Sequence, residues 1–365
     1  MRAIDLFAGC GGLSLGFIRD GYRIDKAVEI DKSIAKTYKT NHPHTQLIVD
    51  DIKNVDHGGF FKEQDADVII GGPPCQGFSM AGARIRGGFM GDPRNYLFKH
   101  YFNVVKTVKP KVFVMENVKG ITTMEKGKIF AEILSIFSDP SLLDGSCYKL
   151  FPRLVKAVDF GIPQKRERMI IIGVRDKEPD LEKLWGITTK QIKELYPDYF
   201  HQTTLRDAIG NMPPPDETGT VTNPAPVTSY QKYLSCADSR LHNHNKTNHS
   251  KVAVDRMAKI AGGENFTSLG EKINSVHSGA YGRLRWDDQA PTITTRFDTP
   301  AGGRFIHPDE NRTLTPREAA RIQSFPDDFI FEGSRTSVCK QIGNAVPPKI
   351  SYFLAKLVRN IIETK

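Results

Sequence analysis

Six short apolar runs punctuate the first 175 residues: RAIDLF, KAVEI, LIVDDI, DVIIGG, KVFVMENV and RMIIIGVR. They are rich in Val, Ile and Phe and show almost no polar alternation, the pattern of strands covered on both faces. Between them, stretches such as IAKTYKTN and KGKIFAEILSIF repeat apolar positions at helical spacing. Alternating strands and helices predict an α/β fold on a doubly wound, mostly parallel sheet, with ligands bound at the carboxyl ends of its strands.

Near residue 177 this pattern is lost. Pro, Thr, Asn and His become frequent, as in NMPPPDETGTVTNPAPVTS and SRLHNHNKTNHS. A second, smaller and irregular domain is expected over 177–337. The closing segment KISYFLAKLVRNII regains order, placing Ile350, Phe353, Leu354, Leu357, Val358 and Ile361 on one helical face. Such a face must be buried. The first domain is therefore expected to comprise 1–176 plus 338–365, with the last helix returning to it.

The 365 residues suffice for one large core and a second domain, and 39% hydrophobic with 25% charged residues excludes wholesale disorder. A net charge of +9 favours a polyanionic partner. The five cysteines, Cys10, Cys75, Cys147, Cys236 and Cys339, form no CxxC pair, and the odd count argues against a disulfide framework. MRAIDLF reads as a strand and not as a secretory signal, and no apolar stretch approaches the roughly 18 residues that span a membrane. The expectation is a cytoplasmic protein without membrane contact.

Candidate chemistry starts at DLFAGCGGLSLGF, directly after the first strand. Gly9, Gly11 and Gly12 permit a sharp turn and close approach to a ligand, and a helix starting near Leu13 would aim its amides there. Any tight strand-to-helix turn favours glycine as well. Glu29, at the end of the second strand, is placed to accept bonds from ribose hydroxyls, and Asp51, ending the third, to meet an adenine amino group. The spacing F-x-G-x-G-G departs from the G-x-G-x-x-G of pyrophosphate-cradling loops. An adenosine ligand without a pyrophosphate fits better, and S-adenosylmethionine is the leading candidate.

GGPPCQGFS puts Cys75 behind Pro73 and Pro74, past the fourth strand. Two prolines restrict the backbone, which suits a positioned nucleophile; a buried packing thiol is the alternative. The following QGFSMAGARIRGGFMGDPRN reads as a loop closing over substrate, with Arg84 and Arg86 available to phosphates and Asp92–Pro93 as a helix start. Glu116 lies at the end of an apolar strand, where burial favours a protonated acid able to donate to a ring nitrogen; a salt-bridged or capping glutamate is the alternative. In QKRER, Gln164, Arg166 and Arg168 share one face of an extended strand, suiting a base carbonyl and phosphates unless the edge is merely solvated.

Taken in order, DLFAGCGG, GGPPCQGFS, DPRN, ENV, QKRER, RTLTPREAARIQSFPDDF and QIGNAVPP resemble the motif set of the DNA (cytosine-5) methyltransferases of bacterial and phage restriction-modification type. The resemblance covers nearly the whole chain except about 177–300, where that family is variable because the segment reads the target sequence. It implies a Rossmann-like S-adenosylmethionine methyltransferase domain and a target-recognition domain. It also implies methyl transfer to C5 of a flipped-out cytosine in a specific double-stranded DNA sequence, with Cys75 as nucleophile and Glu116, Arg166 and Arg168 as its catalytic partners. Cofactor contacts are implied for Phe7, Gly9, Gly11, Gly12, Glu29, Ile30, Asp51, Ile52, Pro73, Leu97, Asn344 and Val346, and DNA contacts for Ser79, Arg84, Arg86, Arg283, Arg285 and Arg296. Trp286, in the same segment as the last three, suits a structural role equally well.

The implied partners are duplex DNA and a cognate restriction endonuclease acting on the same site without direct contact, the enzyme itself being a monomer. His242, His244 and His249 lack a Cys or carboxylate at zinc-site spacing, so a polar loop is expected there and no metal. The rivals are a tRNA cytosine-5 methyltransferase of the same fold, a catalytically silent DNA-binding module, and a nicotinamide oxidoreductase, which the glycine spacing disfavours.

Overall fold

The computed structural model describes residues 1–57, 59–74, 96–236, 240–270 and 278–364. The chain divides into two compact units, one of 1–155, 167–192 and 351–365, the other of 156–166 and 193–350.

The first unit is built on a seven-stranded sheet. Its members are β1 (Arg2–Leu6), β2 (Arg23–Val28), β3 (Gln46–Ile48), β4 (Val68–Gly71), β5 (Val112–Val118) and β6 (Tyr148–Lys156). The last is β8 (Glu167–Arg175), which follows a two-residue β7 (Gln164–Lys165) of the second unit. The order is β3-β2-β1-β4-β5-β8-β6. The pairs β1–β2, β2–β3, β1–β4 and β4–β5 are parallel, while β8 runs antiparallel to β5. Ile4, Leu6, Ile69, Phe113, Met115 and Ile171 are buried in one core, as unbroken apolar runs require. Gly173 faces Phe113 across β5 and β8, and a Cβ there would lie 2.1 Å from the Phe113 ring, so glycine makes room for the aromatic.

Six strands were expected in this sheet, and the sequence reading missed β6. YKLFPRLVK carries Pro152 and alternates in exposure, because it lies at the sheet's end, where a missing ladder donor is tolerated.

The helices of this unit are α1 (Gly12–Arg19), α2 (Lys32–Asn41), α3 (Ile52–His57), α4 (Tyr96–Val108), α5 (Lys128–Ser138) and α6 (Leu181–Leu195). Tyr101, Val104, Val105 and Val108 of α4 and Phe137 of α5 bury against the sheet, with Phe113 and Phe137 ring centroids 4.5 Å apart.

The second unit is poor in regular structure. It contains α7 (Leu205–Ile209), α8 (Ser229–Leu234), α9 (Lys251–Ala258), α10 (Pro316–Ile322) and α11 (Arg335–Asn344). Two small pairings join them: β9 (Val221–Thr222) with β10 (Arg240–Leu241), and β7 with β11 (Ala290–Pro291). All seven residues of α10 are buried, charges included. Arg312 meets Glu318 through two nitrogens at 2.8 Å each, and Arg321 meets Asp327 at 2.7 and 2.9 Å. The Arg312 guanidinium holds the fully buried Glu318 carboxyl down at about 2 despite desolvation. Glu318 thus adds stability that is present above about pH 4.5 and lost as the pH falls through 2. Glu318→Gln is expected to destabilise the protein by about 1–3 kcal/mol, read by denaturant unfolding at neutral pH. It removes the buried charge partner of Arg312 and, among the described residues, leaves that guanidinium only the partly exposed Glu310 as counter-charge.

The last helix, α12 (Pro348–Glu363), has Ser351 onward in the first unit. There Tyr22 Oη donates to Ala355 O at 3.1 Å, Arg359 pairs with Asp20 at 2.8 Å, and Phe353 packs on Trp185 of α6 at 4.5 Å. A Cβ on Gly16 would lie 2.3 Å from Tyr352 N, so α1 and α12 touch backbone to backbone. The unit boundaries differ from the expected 1–176 plus 338–365. Residues 177–192 stay with α12, Asn360 bonding Thr188 and Gln191, whereas 156–166 and 338–350 belong to the second unit. Among the described residues no helix is long and apolar enough to cross a membrane.

Candidate active site

The site follows from strand register. Val28, Leu6, Gly71 and Met115 lie opposite one another across β2, β1, β4 and β5. One residue further along, Glu29, Phe7, Gly72 and Glu116 therefore form a row at the carboxyl edge. The sheet order reverses between β1 and β4, the switch point where doubly wound sheets bind ligands. Glu29 and Glu116 are three strand steps apart, about 14 Å at the usual strand spacing.

On the β1 side, Phe7 (φ 59°), Gly9 (φ 57°) and Gly11 (φ 92°) adopt left-handed backbone, so the loop turns back sharply. A Cβ on Gly11 would lie 2.1 Å from His42 Nε2, which makes glycine obligatory there. Glu29 is buried and ties the loop down: Gly9 N–H donates to Oε2 and Asp31 N–H to Oε1, both at 2.8 Å. Gly11 N–H donates to Ala8 O, and the backbone of Ser14 in α1 to Asp5. The helix start was expected to aim its amides at a ligand. Of these amides, that of Gly12 is taken up by Cys10 and that of Ser14 by Asp5 of β1. Ile30 is 63% exposed, and Asp51, beyond the end of β3, accepts from Lys53 N–H at 3.0 Å through Oδ1. Ile52 is buried, and Leu97 packs at the margin of the core.

Beneath the loop sits Asp5, 1% exposed, which the sequence reading passed over. Its Oδ2 accepts from Ser14 Oγ at 2.6 Å, and Ser14 Oγ lies 2.8 Å from Tyr38 Oη. Burial, with Glu29 adding to it, pushes the Asp5 carboxyl up to about 7 from 3.8. An acid raised in the folded state contributes stability that is complete below about pH 4 and lost as the pH rises through 7. Asp5→Asn keeps an acceptor for Ser14 but does not titrate. The drop in thermal stability from pH 5 to pH 8 should therefore be smaller in that variant than in the wild type; equal drops would contradict the assignment.

On the β4 side, Pro73 and Pro74 leave the sheet beside the glycine loop. Asn117 Nδ2 donates to Pro73 O at 3.0 Å, tethering this segment to β5. Glu116 Oε2 lies 3.0 Å from where a Gly72 Cβ would stand, so the carboxylate lies close over Gly72, three residues before Cys75. Arg168 Nε meets Glu116 Oε1 at 2.9 Å, with side-chain exposures of 14% and 11%. Cys75, Ser79, Arg84, Arg86 and the Asp92–Pro93 helix start lie outside the described residues. Of the described thiols, burial pushes Cys10 and Cys339 up to about 12, which unfits both as nucleophiles.

Arg166 requires a correction. It is 1% exposed, and its guanidinium donates to Ile293 O and Gly343 O (3.3 and 3.0 Å) and to Ala345 O (2.9 Å). Together with Gln164, which accepts from Ile293 N–H, it binds the QKR segment to residues 293 and 343–345 inside the second unit. It is a positioning residue. That unit also holds exposed Asn344 and buried Val346.

Arg283 is corrected too. Its guanidinium donates to Ile260 O, His307 O, Glu310 O, Met257 O and Asn311 Oδ1, all between 2.6 and 2.9 Å. A side chain so engaged has no donor left for DNA. Arg285 is exposed and pairs with Asp287 at 3.3 Å, and exposed Arg296 reaches Thr299 Oγ1 at 3.4 Å. Trp286 donates to Asp309 at 2.9 Å. His244 bridges Thr315 and Pro213, while His242 and His249 meet Thr220 and Thr313.

The model of C-5 cytosine-specific DNA methylases matches residues 1–360. The chain belongs to that family. It is accordingly a DNA (cytosine-5) methyltransferase. It is 36% identical to the Type II methyltransferase M.DdeI of Desulfomicrobium norvegicum, over 98% of this chain and 88% of that one. It is 35% identical to M1.HphI of Haemophilus parahaemolyticus, over 97% and 86%. Among solved structures, a prophage-encoded Escherichia coli protein described as a DNA modification methyltransferase superposes with a TM-score of 0.74 at 28% identity, covering all of both chains. The S. pombe Dnmt2 methyltransferase shares the fold at a TM-score of 0.57 and 15% identity, over 99% of each chain.

Proposed function

We propose that this methyltransferase takes its methyl group from S-adenosylmethionine and delivers it to C5 of a cytosine everted from a specific duplex DNA sequence, through a bond between Cys75 and C6. The observation that carries this reading is the row at the sheet edge, with Glu29 and the turned glycine loop at one end and the buried Glu116–Arg168 pair at the other.

The residues on the β1 side fit an adenosine ligand that carries no pyrophosphate. The loop amides at positions 9, 11 and 14 are already donated within the protein, Ile30 offers an apolar face to a base, and Asp51 lies beyond β3 with room for a polar edge. Bound there, S-adenosylmethionine would supply an electrophilic methyl group. Phe7, Gly9, Gly11, Gly12, Ile52, Pro73 and Leu97 would surround it.

C5 of cytosine is too weak a nucleophile to take that methyl unaided. The Cys75 thiolate adds to C6, forming the S–C6 bond and moving the C5–C6 electron pair to C5. Glu116, paired as a carboxylate with Arg168, accepts hydrogen bonds from the exocyclic amine and from N3 once N3 has taken the proton released by the Cys75 thiol, and so stabilises the adduct. C5 takes the methyl and then gives its proton to solvent water, the freed pair re-forming the C5–C6 double bond as the S–C6 pair leaves on sulfur and N3 returns its proton, which releases 5-methylcytosine and the thiolate. Such chemistry cannot proceed inside the base stack, so the cytosine must leave it, at a few kcal/mol.

We assign target recognition to the second unit, and DNA contacts also to Ser79, Arg84 and Arg86. The two curated relatives are Type II methyltransferases, which supports a restriction-modification role; we propose that the enzyme works as a cytoplasmic monomer, beside an endonuclease that need not touch this chain. Incubating plasmid DNA with protein and S-adenosylmethionine, then mapping bisulfite-resistant cytosines, tests the reading. Protection at one recurring sequence is expected; conversion of every cytosine would contradict it.

A further inference from the structure

We propose that Arg304 is a phosphate anchor of the DNA-recognition unit, a residue that neither motif nor spacing marks. The inference rests on the function proposed above and names one of its DNA contacts.

Its backbone is held on both sides. Leu284 N–H donates to Ile306 O and Ile306 N–H to Gly282 O at 3.0 Å each, and Leu314 N–H donates to Phe305 O at 2.9 Å. The adjoining Phe305 side chain is buried. The stem is held as well. A Cβ on Gly282 would lie 2.2 Å from Arg304 Cγ and 2.7 Å from its Cβ, and one on Gly279 would lie 3.1 Å from Cγ. The aliphatic chain therefore lies flat across two glycines, in space that any side chain there would fill.

The head group is treated differently from its neighbours. Arg304 is exposed, and its guanidinium has no ion pair or hydrogen bond among the described residues. In the same segment Arg283 is saturated by carbonyls, Arg285 is paired with Asp287, and Arg296 reaches Thr299. A cation on a pre-set stem loses little rotamer freedom when it binds, and an exposed guanidinium with no acid of its own suits a polyanion. Contact with the backbone is a sequence-independent, salt-sensitive interaction.

The test is equilibrium binding of the full-length protein to two labelled duplexes, one carrying the mapped methylation site and one lacking it, over a series of salt concentrations. Arg304→Ala should weaken both duplexes by the same factor and make the slope of log affinity against log salt shallower by about one. Arg304→Lys should restore the slope. Gly282→Ala, which displaces the stem while leaving the charge, should weaken both duplexes with the slope closer to that of the wild type, its folding followed by thermal unfolding. Lys251→Ala, an exposed α9 residue paired with Asp255, should change neither. Unchanged affinity for both duplexes in Arg304→Ala, or a loss confined to the site-bearing duplex, would overturn the assignment. Failure of the wild type to methylate any DNA would overturn the function and not this contact.

Discussion

Cys75→Ala is expected to abolish methyl transfer to duplex DNA while S-adenosylmethionine still binds. The thiol supplies the bond that makes C5 nucleophilic, and a methyl side chain offers no substitute. The cofactor contacts proposed on β1 and β2 depend on Glu29 and the glycine loop, whose hydrogen bonds do not involve residue 75. The measurement is tritiated methyl incorporation into plasmid DNA, paired with calorimetric titration of the cofactor. Incorporation at the wild-type rate would remove Cys75 from the mechanism. Loss of cofactor binding would show that residue 75 supports the fold of the site.

Glu116→Gln should lower single-turnover methyl transfer by about 10²–10⁴-fold, the range for a positioned acid–base group. The amide preserves volume and keeps an acceptor for Arg168, so the partner remains satisfied and the loss reports on the reaction. An unchanged rate would place the acid elsewhere. Arg168 is tied to the same outcome, because its Nε fixes the carboxylate at 2.9 Å within a nearly buried pair.

Hydrophobic runs revealed the sheet well wherever both faces are covered. β4 and β5 read directly from VIIG and VFVMENV, and the acid within β5 stood out because little else there is polar. Where exposure alternates the signal faded, as in β6 with its internal proline. The second unit misled in the opposite direction. PREAARI is nearly half charged by composition, yet it is wholly interior, Arg317 being answered by backbone carbonyls, Arg321 by Asp327 and Glu318 by Arg312. The same physics hid Arg283 and Arg166, since a guanidinium offers five donors and several carbonyls can take them as readily as a phosphate. Nothing in a linear pattern distinguishes these arginines from Arg304. Asp5, by contrast, left a signal: an acid inside RAIDLF, on a strand otherwise apolar, must be buried and partnered.

Domain boundaries were drawn where composition changes, but contacts decided them. Asn360 of α12 bonds Thr188 and Gln191 of α6, and Arg166 holds residues 164–166 to the segment around Gly343. Both are long-range side-chain contacts that no local pattern announces.

The most direct measurement is covalent capture. Duplex DNA bearing 5-fluorocytosine in place of the target cytosine cannot lose its C5 substituent as a proton, so the enzyme should stall after methyl transfer with Cys75 still bonded to C6. In the presence of S-adenosylmethionine, a denaturant-resistant protein–DNA species is expected with the wild type and not with Cys75→Ala. If verified target duplexes never yield that species with the wild type, the central claim fails.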